Sequence, residues 1–226
     1  MAQNGLIPER RDISIDGPDI FLNLAAAVKS TGALGPGRRA ALWTQGCVFH
    51  CPGCVAPDWI PIQPAHLITV DVVLDFLLGD PHINGITISG GEPMLQASAL
   101  ARLVRMARRR RDLDVICFTG FQRSQLERTP PFPGISDLLN EVDVLIDGPY
   151  IARLNDNIGL RGSSNQRIHY LSDRLRGADL EHWNRRSEIC LLEGQAVMVG
   201  VPPLTLGEAF NQANELKWDL LNYERV

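Results

Sequence analysis

Gly85-Ile86-Thr87-Ile88-Ser89-Gly90-Gly91-Glu92-Pro93 changes from one kind of structure to another within a few residues, and that change decides the fold. Ile86, Thr87 and Ile88 are β-branched and read as a short buried strand. Gly90-Gly91 ends it. Beyond Pro93, Leu100, Leu103, Val104 and Ala107 recur at helical spacing, with Arg102, Arg105 and Arg109 off the apolar stripe. A strand that turns directly into a crossover helix is half of a parallel-sheet unit.

The unit repeats on both sides. Upstream, Ala40-Ala41-Leu42-Trp43-Thr44 reads as a buried strand running into Gln45-Gly46-Cys47, and Val70 to Leu78 as a helix ended by Gly79. Downstream, Asp114 to Phe118 is a strand stopping at Thr119-Gly120, and Val142 to Ile146 another, stopping at Asp147-Gly148-Pro149. Three prolines make Thr129 to Gly134 a connection. Arg167 to Leu171 and Ala196 to Val201 are weaker strands, and Thr205 and Glu208 have capping-box spacing at the head of a last helix reaching Leu220. Five or six strands in βα order predict an α/β fold, an open partial barrel or a doubly wound sheet. Both gather chemistry at the C-terminal ends of their strands. Cys47, Gly90-Gly91-Glu92, Thr119-Gly120 and Asp147-Gly148 all fall at such ends. Residues 1–35 are expected to be an irregular N-terminal extension, with a Gly-rich loop from Ser30 to Arg39, and residues 36–226 the domain proper.

Bulk composition narrows the class. The 226 residues are 45% hydrophobic, which excludes a disordered tail. Lys plus Arg is 22 against 26 for Asp plus Glu, so neither nucleic acid nor an anionic membrane is an expected partner. No apolar stretch approaches the roughly 18 residues of a membrane span. Met1-Ala2-Gln3-Asn4-Gly5 lacks a basic region leading into an apolar one, so a cytoplasmic protein is expected. An odd total of five cysteines then argues against a disulfide framework.

Three of the five crowd into Cys47-Val48-Phe49-His50-Cys51-Pro52-Gly53-Cys54, a C-x3-C-x2-C spacing. Gly46, Pro52 and Gly53 make this a loop, with little core to pack. Three thiolates on one loop can take three corners of an iron–sulfur cubane and leave the fourth iron open. Zinc is the alternative, with His50 or His66 as fourth ligand, which would make the protein a non-catalytic zinc-stabilised binding module. Ser89-Gly90-Gly91-Glu92 offers backbone that can approach a ligand closely and a carboxylate for an ammonium group. Equally, Gly-Gly with an acid makes an ordinary turn with a helix-start charge.

Together the two motifs resemble the radical S-adenosylmethionine (SAM) superfamily. Thr119-Gly120-Phe121, then Asp143 to Tyr150, then Leu160-Arg161-Gly162-Ser163-Ser164-Asn165-Gln166-Arg167-Ile168 resemble the anaerobic ribonucleotide reductase activating protein family, one of the glycyl-radical activating enzymes. The resemblance implies an incomplete (βα)6-type partial barrel. It implies a [4Fe-4S] cluster on Cys47, Cys51 and Cys54, and reductive cleavage of SAM to a 5′-deoxyadenosyl radical that takes hydrogen from a glycine of a partner reductase. Gly91 and Glu92 would hold the methionine end of SAM, Ser89, Gly90 and Thr119 would also bind the cofactor, Gly53 and Val55 would lie along the adenosine, and Asp147-Gly148 would help close the site. A one-electron donor such as flavodoxin or ferredoxin is implied as well. The same radical directed at a small metabolite or peptide is the alternative. Val55-Ala56 stands where that family usually has an aromatic residue and Asn, and Asp16-Gly17-Pro18 resembles a family motif placed far upstream.

The remaining candidates have plainer readings. Arg108 to Arg111 is a solvated helix end. Cys117 and Cys190 are small core residues, and His169 and His182 structural or surface groups. Trp43 and Trp59 flank the cysteine loop as packing or shielding. Arg161 and Asn165 are turn-formers or contacts to a substrate or partner.

Overall fold

The computed structural model describes residues 20–192 and 195–203, together with 205, 206, 209, 210 and 212. The helix expected from Thr205 to Leu220 lies largely outside these residues, and Asp16-Gly17-Pro18 wholly so.

In chain order the elements are β1 (Phe21–Thr31), β2 (Arg39–Thr44), β3 (His66–Thr69), α1 (Val70–Leu77), β4 (Gly85–Gly90), α2 (Ala97–Arg110), β5 (Asp114–Thr119), α3 (Arg123–Arg128), α4 (Ile135–Leu139), β6 (Val144–Asp147), β7 (Arg167–Tyr170), β8 (Ser187–Leu192) and β9 (Gln195–Gly200). Seven strands form one open sheet in the order β3-β1-β2-β4-β5-β6-β7. Its centre, β2-β4-β5-β6, is parallel, and β3, β1 and β7 flank it antiparallel. This mixed, largely parallel open sheet is the partial barrel expected, with four strands in its parallel run. β8 and β9 pair only with each other among the described residues.

Two expectations need correction. Residues 21–31, inside the stretch expected to be irregular, form β1, which pairs with both β2 and β3. Leu22 and Leu24 are fully buried, so the segment is held by core packing although its alanines are poor strand formers. The run Arg108–Arg111 is not simply solvated. Arg108 reaches Glu141 at 3.3 Å and Asp143 at 2.6 Å, and Arg111 donates to the carbonyls of Asp80 and Leu78.

The parallel strands are apolar at successive positions because both faces are covered. Ala40, Leu42, Ile86, Ile88, Val115, Cys117 and Leu145 face the helices, packing with Leu100, Leu103 and Val104 of α2. Alternate residues point into the concave interior in layers. Ala41 and Trp43 join a cluster with Leu34 and Val199, while Ile116, Val144 and Ile146 join another with Leu160 and Leu180.

The bottom layer of that interior, at the N-terminal ends of the strands, is ionic. Arg39, Gly85 and Asp114 are in register on β2, β4 and β5. Arg39 is fully buried, 2.6 Å from Asp114, and donates to the Thr87 hydroxyl at 2.7 Å and the Ile86 carbonyl at 3.0 Å. Gly85 leaves the space: a Cβ there would lie 2.5 Å from Asp114 Oδ1 and 2.6 Å from Arg39 Nη1. Burial is the largest influence on both partners, pulling the Arg39 pKa down and pushing that of Asp114 up, so desolvation outweighs the pair's attraction. The fully buried Arg39 side chain fills the base of the interior. Chemistry is left to the opposite end. No helix among the described residues is long and apolar enough to cross a membrane.

Candidate functional site

At the C-terminal edge, β2, β4, β5 and β6 end around one cavity. Its wall includes the three loop cysteines, Val55, Ser89 to Glu92, Thr119 and Gly120. The top inward layer of the sheet, Trp43, Ser89 and Phe118, forms part of the same wall.

The cysteine loop is fastened at its root. Gly46 and Cys47 donate their N–H groups to the carbonyls of Trp59 and Ile60, each at 2.9 Å, so the chain leaves β2 and returns beside itself. Within the loop, Cys54 N–H bonds the Cys51 carbonyl at 3.1 Å, and Gly53 takes the left-handed conformation that this turn requires (φ 75°). Phe49 anchors the far side. Its ring lies edge-on to Phe121 at 4.8 Å and so close to Gly120 that a Cβ there would sit 2.5 Å from it.

Gly90 and Gly91 serve this fastening. Gly91 N–H bonds the Thr44 carbonyl at 2.7 Å, and Glu92 N–H bonds that of Gly46 at 2.8 Å. A Cβ on Gly90 would lie 2.2 Å from Thr44 N, and one on Gly91 2.2 Å from the Gly46 carbonyl oxygen. The close approach expected toward a ligand is, on the side a side chain would occupy, an approach to the base of the cysteine loop.

Glu92 is 1% exposed, and both its carboxylate oxygens are engaged. Oε1 accepts from Met94 N–H at 2.9 Å and from the Thr119 hydroxyl at 2.8 Å, while Oε2 accepts from Gly120 N–H at 2.8 Å. Burial pushes its pKa up to about 7 against the pull of these three donors. Glu92 therefore braces the ends of β4 and β5 together from within the cavity wall.

Among the described residues no cation offsets the burial of Cys47 or Cys54. Burial raises Cys47 to about 11, opposed by the Phe49 N–H donated to its sulfur at 3.3 Å, and burial raises Cys54 too. Such thiols keep their protons until a metal displaces them. The donor set is soft, and neither His50 nor His66 borders the cavity; both are exposed. Zinc thus lacks the fourth ligand proposed for it. No three His, Cys, Asp or Glu side chains among the described residues already converge as a metal site. The three thiols do line one cavity, and three thiolates without a fourth protein ligand suit a cubane with one open iron. The cavity wall also includes Tyr150, whose buried hydroxyl has no hydrogen-bond partner among the described residues.

Two expected residues are not on this wall. Gly53 is exposed on the outside of its turn. Asp147 turns into a neighbouring cleft, where Oδ2 accepts from Arg123 N–H at 2.6 Å and stands 3.1 Å from His169 Nε2. The adjoining Gly148 borders both spaces.

Residues that carry the site without a strong signal of their own include Gln166 and Arg185. Gln166 accepts the N–H groups of Gly162 and Ser163 and donates to the Gly148 carbonyl at 2.8 Å, clasping the loop against the end of β6. Asn165 does the same for Pro149 at 2.8 Å. Arg185, its side chain 3% exposed, donates to Asn155 at 2.6 Å and to the carbonyls of Gly159 and Arg161. Arg161 is held by Asp156 at 3.1 Å and Glu181 at 3.2 Å. Gln166 stood inside a conspicuous run, whereas Arg185 binds mainly carbonyls and leaves no pattern to read.

Comparison with known proteins matches residues 33–169 to the family described as a 4Fe-4S single cluster domain. Over 145 residues the chain is 34% identical to the anaerobic ribonucleoside-triphosphate reductase-activating protein of Vibrio cholerae, covering 60% of this chain and 89% of that one. The protein of that name from Escherichia coli K12 is 33% identical over 147 residues, covering 61% and 91%. The pyruvate formate-lyase-activating enzyme of Staphylococcus aureus is 40% identical over 84 residues, 34% of each chain.

Proposed function

We propose, because the chain belongs to the radical SAM superfamily through its 4Fe-4S single cluster domain, that it is an activating enzyme for a glycyl-radical partner resembling anaerobic ribonucleotide reductase. One juxtaposition supports the reading: the cysteine loop and the Ser89-Gly90-Gly91-Glu92 strand end share a cavity at the chemically active edge of the sheet.

Cys47, Cys51 and Cys54 would hold the [4Fe-4S] cluster and leave one iron open to SAM. A reduced cluster held there would supply the one electron for reductive cleavage of SAM, with methionine as leaving group and the hydrogen atom coming from the partner's glycine. The protein's share is to bind, orient and keep water out. Ser89, Gly90 and Gly91 are assigned to the methionine end, with Glu92 fixing that strand end against Thr119 and Gly120. Gly53 and Val55 belong to the loop assigned to the adenosine, and Asp147 to the closing of the site beyond β6. Trp43 and Trp59, 5.9 Å apart, supply apolar wall beside the thiols. The electron would come from a flavodoxin or ferredoxin.

A small metabolite or peptide as hydrogen donor is the second reading, favoured by residues 200–202, which border the cavity yet lie beyond the family match. Anaerobic incubation of the reconstituted protein with reductant, SAM and a candidate reductase, followed by electron paramagnetic resonance, separates the two. A doublet on the reductase is the expected result. Formation of 5′-deoxyadenosine without that doublet transfers the reaction to the second reading. A loaded cluster that forms none overturns both.

A further inference from the structure

The family match stops at residue 169, but the fold continues into the β8–β9 hairpin. Among the described residues no ladder joins that hairpin to the main sheet, and side chains hold it there. Glu188 on β8 accepts the Thr31 hydroxyl at 2.7 Å and Gly32 N–H at 2.9 Å, clamping the hairpin to the β1–β2 turn. Val199 on β9 is fully buried among Leu34, Ala41 and Trp43, and Cys190 packs against the same cluster. Where β9 ends, Gly200 takes a positive φ of 135°, and a Cβ there would lie 2.3 Å from the Arg186 carbonyl oxygen. Gly200, Val201 and Pro202 then run along the cavity, beside Leu34 and Trp43, which border it too.

We propose that the β8–β9 hairpin is a latched wall of the cavity, fastened by Glu188, which restricts the approach of bulky groups to the cysteine loop. The inference rests on the reading above for what the cavity holds. Its physical content does not. The two bonds to a carboxylate are charge-assisted, and they are the described polar links between hairpin and sheet turn. Loss of them leaves the hairpin seated by Val199 and its neighbours alone, and its open population rises. Opening of the hairpin widens the approach to the cysteine loop, and a bulky reagent gains more from that than a small one.

The test uses the full chain, reduced and free of cluster, with two thiol reagents of different size, iodoacetamide and fluorescein maleimide, mapped cysteine by cysteine. Glu188→Ala should raise maleimide labelling of Cys47, Cys51 and Cys54 about tenfold, as two charge-assisted bonds are lost. Iodoacetamide labelling of those three should stay near its wild-type rate. Cys190 should react faster with both reagents, and Cys117 should stay protected as the mark of an intact core. Thr31→Val, which keeps the carboxylate and removes one donor, should show the same pattern more weakly, and it carries the test if Glu188→Ala exposes Cys117. Faster Cys190 labelling with an unchanged maleimide rate at the loop means that the hairpin opens without being a wall, and it overturns the proposal. An unchanged Cys190 in both variants removes Glu188 as the latch and overturns it too. Neither outcome bears on cluster chemistry, because no cluster or SAM is present.

Discussion

Glu92 and Gly120 lie 28 residues apart in sequence, yet the carboxylate of one accepts the backbone N–H of the other at 2.8 Å. The bond, with that from the Thr119 hydroxyl to Oε1, ties the end of β4 to the end of β5 across the cavity wall. The carboxylate is buried and its pKa is pushed up to about 7. Between the unfolded value near 4.5 and that folded value, the native state binds the proton more tightly than the unfolded chain does. The contribution of Glu92 to stability is therefore full below the unfolded pKa, falls as pH rises through the window, and is flat above about 7, a change of about 3 kcal/mol in all. Urea unfolding at pH 5 and pH 8 should show that fall in the wild type and lose it in Glu92→Gln. Equal pH dependence in the two proteins rejects the assignment.

The same substitution also tests the brace. In Glu92→Gln the amide nitrogen must face either Gly120 N–H or Met94 N–H, leaving two donors opposed, at about 1–3 kcal/mol. Iron content after reconstitution should be nearly unchanged, because the cysteine loop is fastened independently. SAM affinity, read by equilibrium dialysis, should fall.

Gly91→Ala places a methyl group 2.2 Å from the Gly46 carbonyl oxygen. Backbone cannot yield there as a flexible side chain would, so the root of the cysteine loop must shift. Iron and sulfide bound per chain should drop severely, with loss of about 1–3 kcal/mol of stability from the overpacking. Full cluster loading would show that the loop tolerates the displacement.

Cys51→Ala should abolish 5′-deoxyadenosine formation by the reduced protein, since a cubane held by two thiolates is poorly retained. Retained activity with normal iron content would transfer the ligand role to another side chain.

Arg39→Met leaves Asp114 buried beside an apolar chain, and breaking such a pair from one side costs about 3–5 kcal/mol. The double variant Arg39→Met with Asp114→Leu should recover much of that loss, because burial already works against both charges. Chemical denaturation of the two single variants and the double measures the coupling. Strict additivity would mean that the pair does not act as a unit.

The parallel centre of the sheet was legible because β2, β4, β5 and β6 are buried on both faces, and near-continuous apolar runs are what such strands require. β1 was not, since its central alanines carry little strand signal and its burial comes from partners distant in sequence. β3 and β8 escaped for related reasons: one is a four-residue edge strand, and the other pairs only with β9. At the site, the clustering of Cys47, Gly90-Gly91-Glu92 and Thr119-Gly120 followed from where strands end. What the glycines and Glu92 touch did not follow. Apart from the Thr119 hydroxyl, their partners are main-chain groups of Thr44, Gly46, Met94 and Gly120, and backbone carries no sequence identity. Asp147 stands at a strand end as read, but what holds it was not legible: Arg123 N–H keeps its carboxylate in the next cleft, beside His169.

The ionic layer of Arg39, Gly85 and Asp114 has a directional consequence. With Arg39 filling the foot of the interior, the doorway among the described residues is at the other end, and on the activating-enzyme reading methionine and 5′-deoxyadenosine would depart through the opening that admitted SAM. Any macromolecule seated across that doorway traps them until it lifts off. On the activating-enzyme reading, each turnover then ends with the partner letting go, and a large excess of partner slows the cycle.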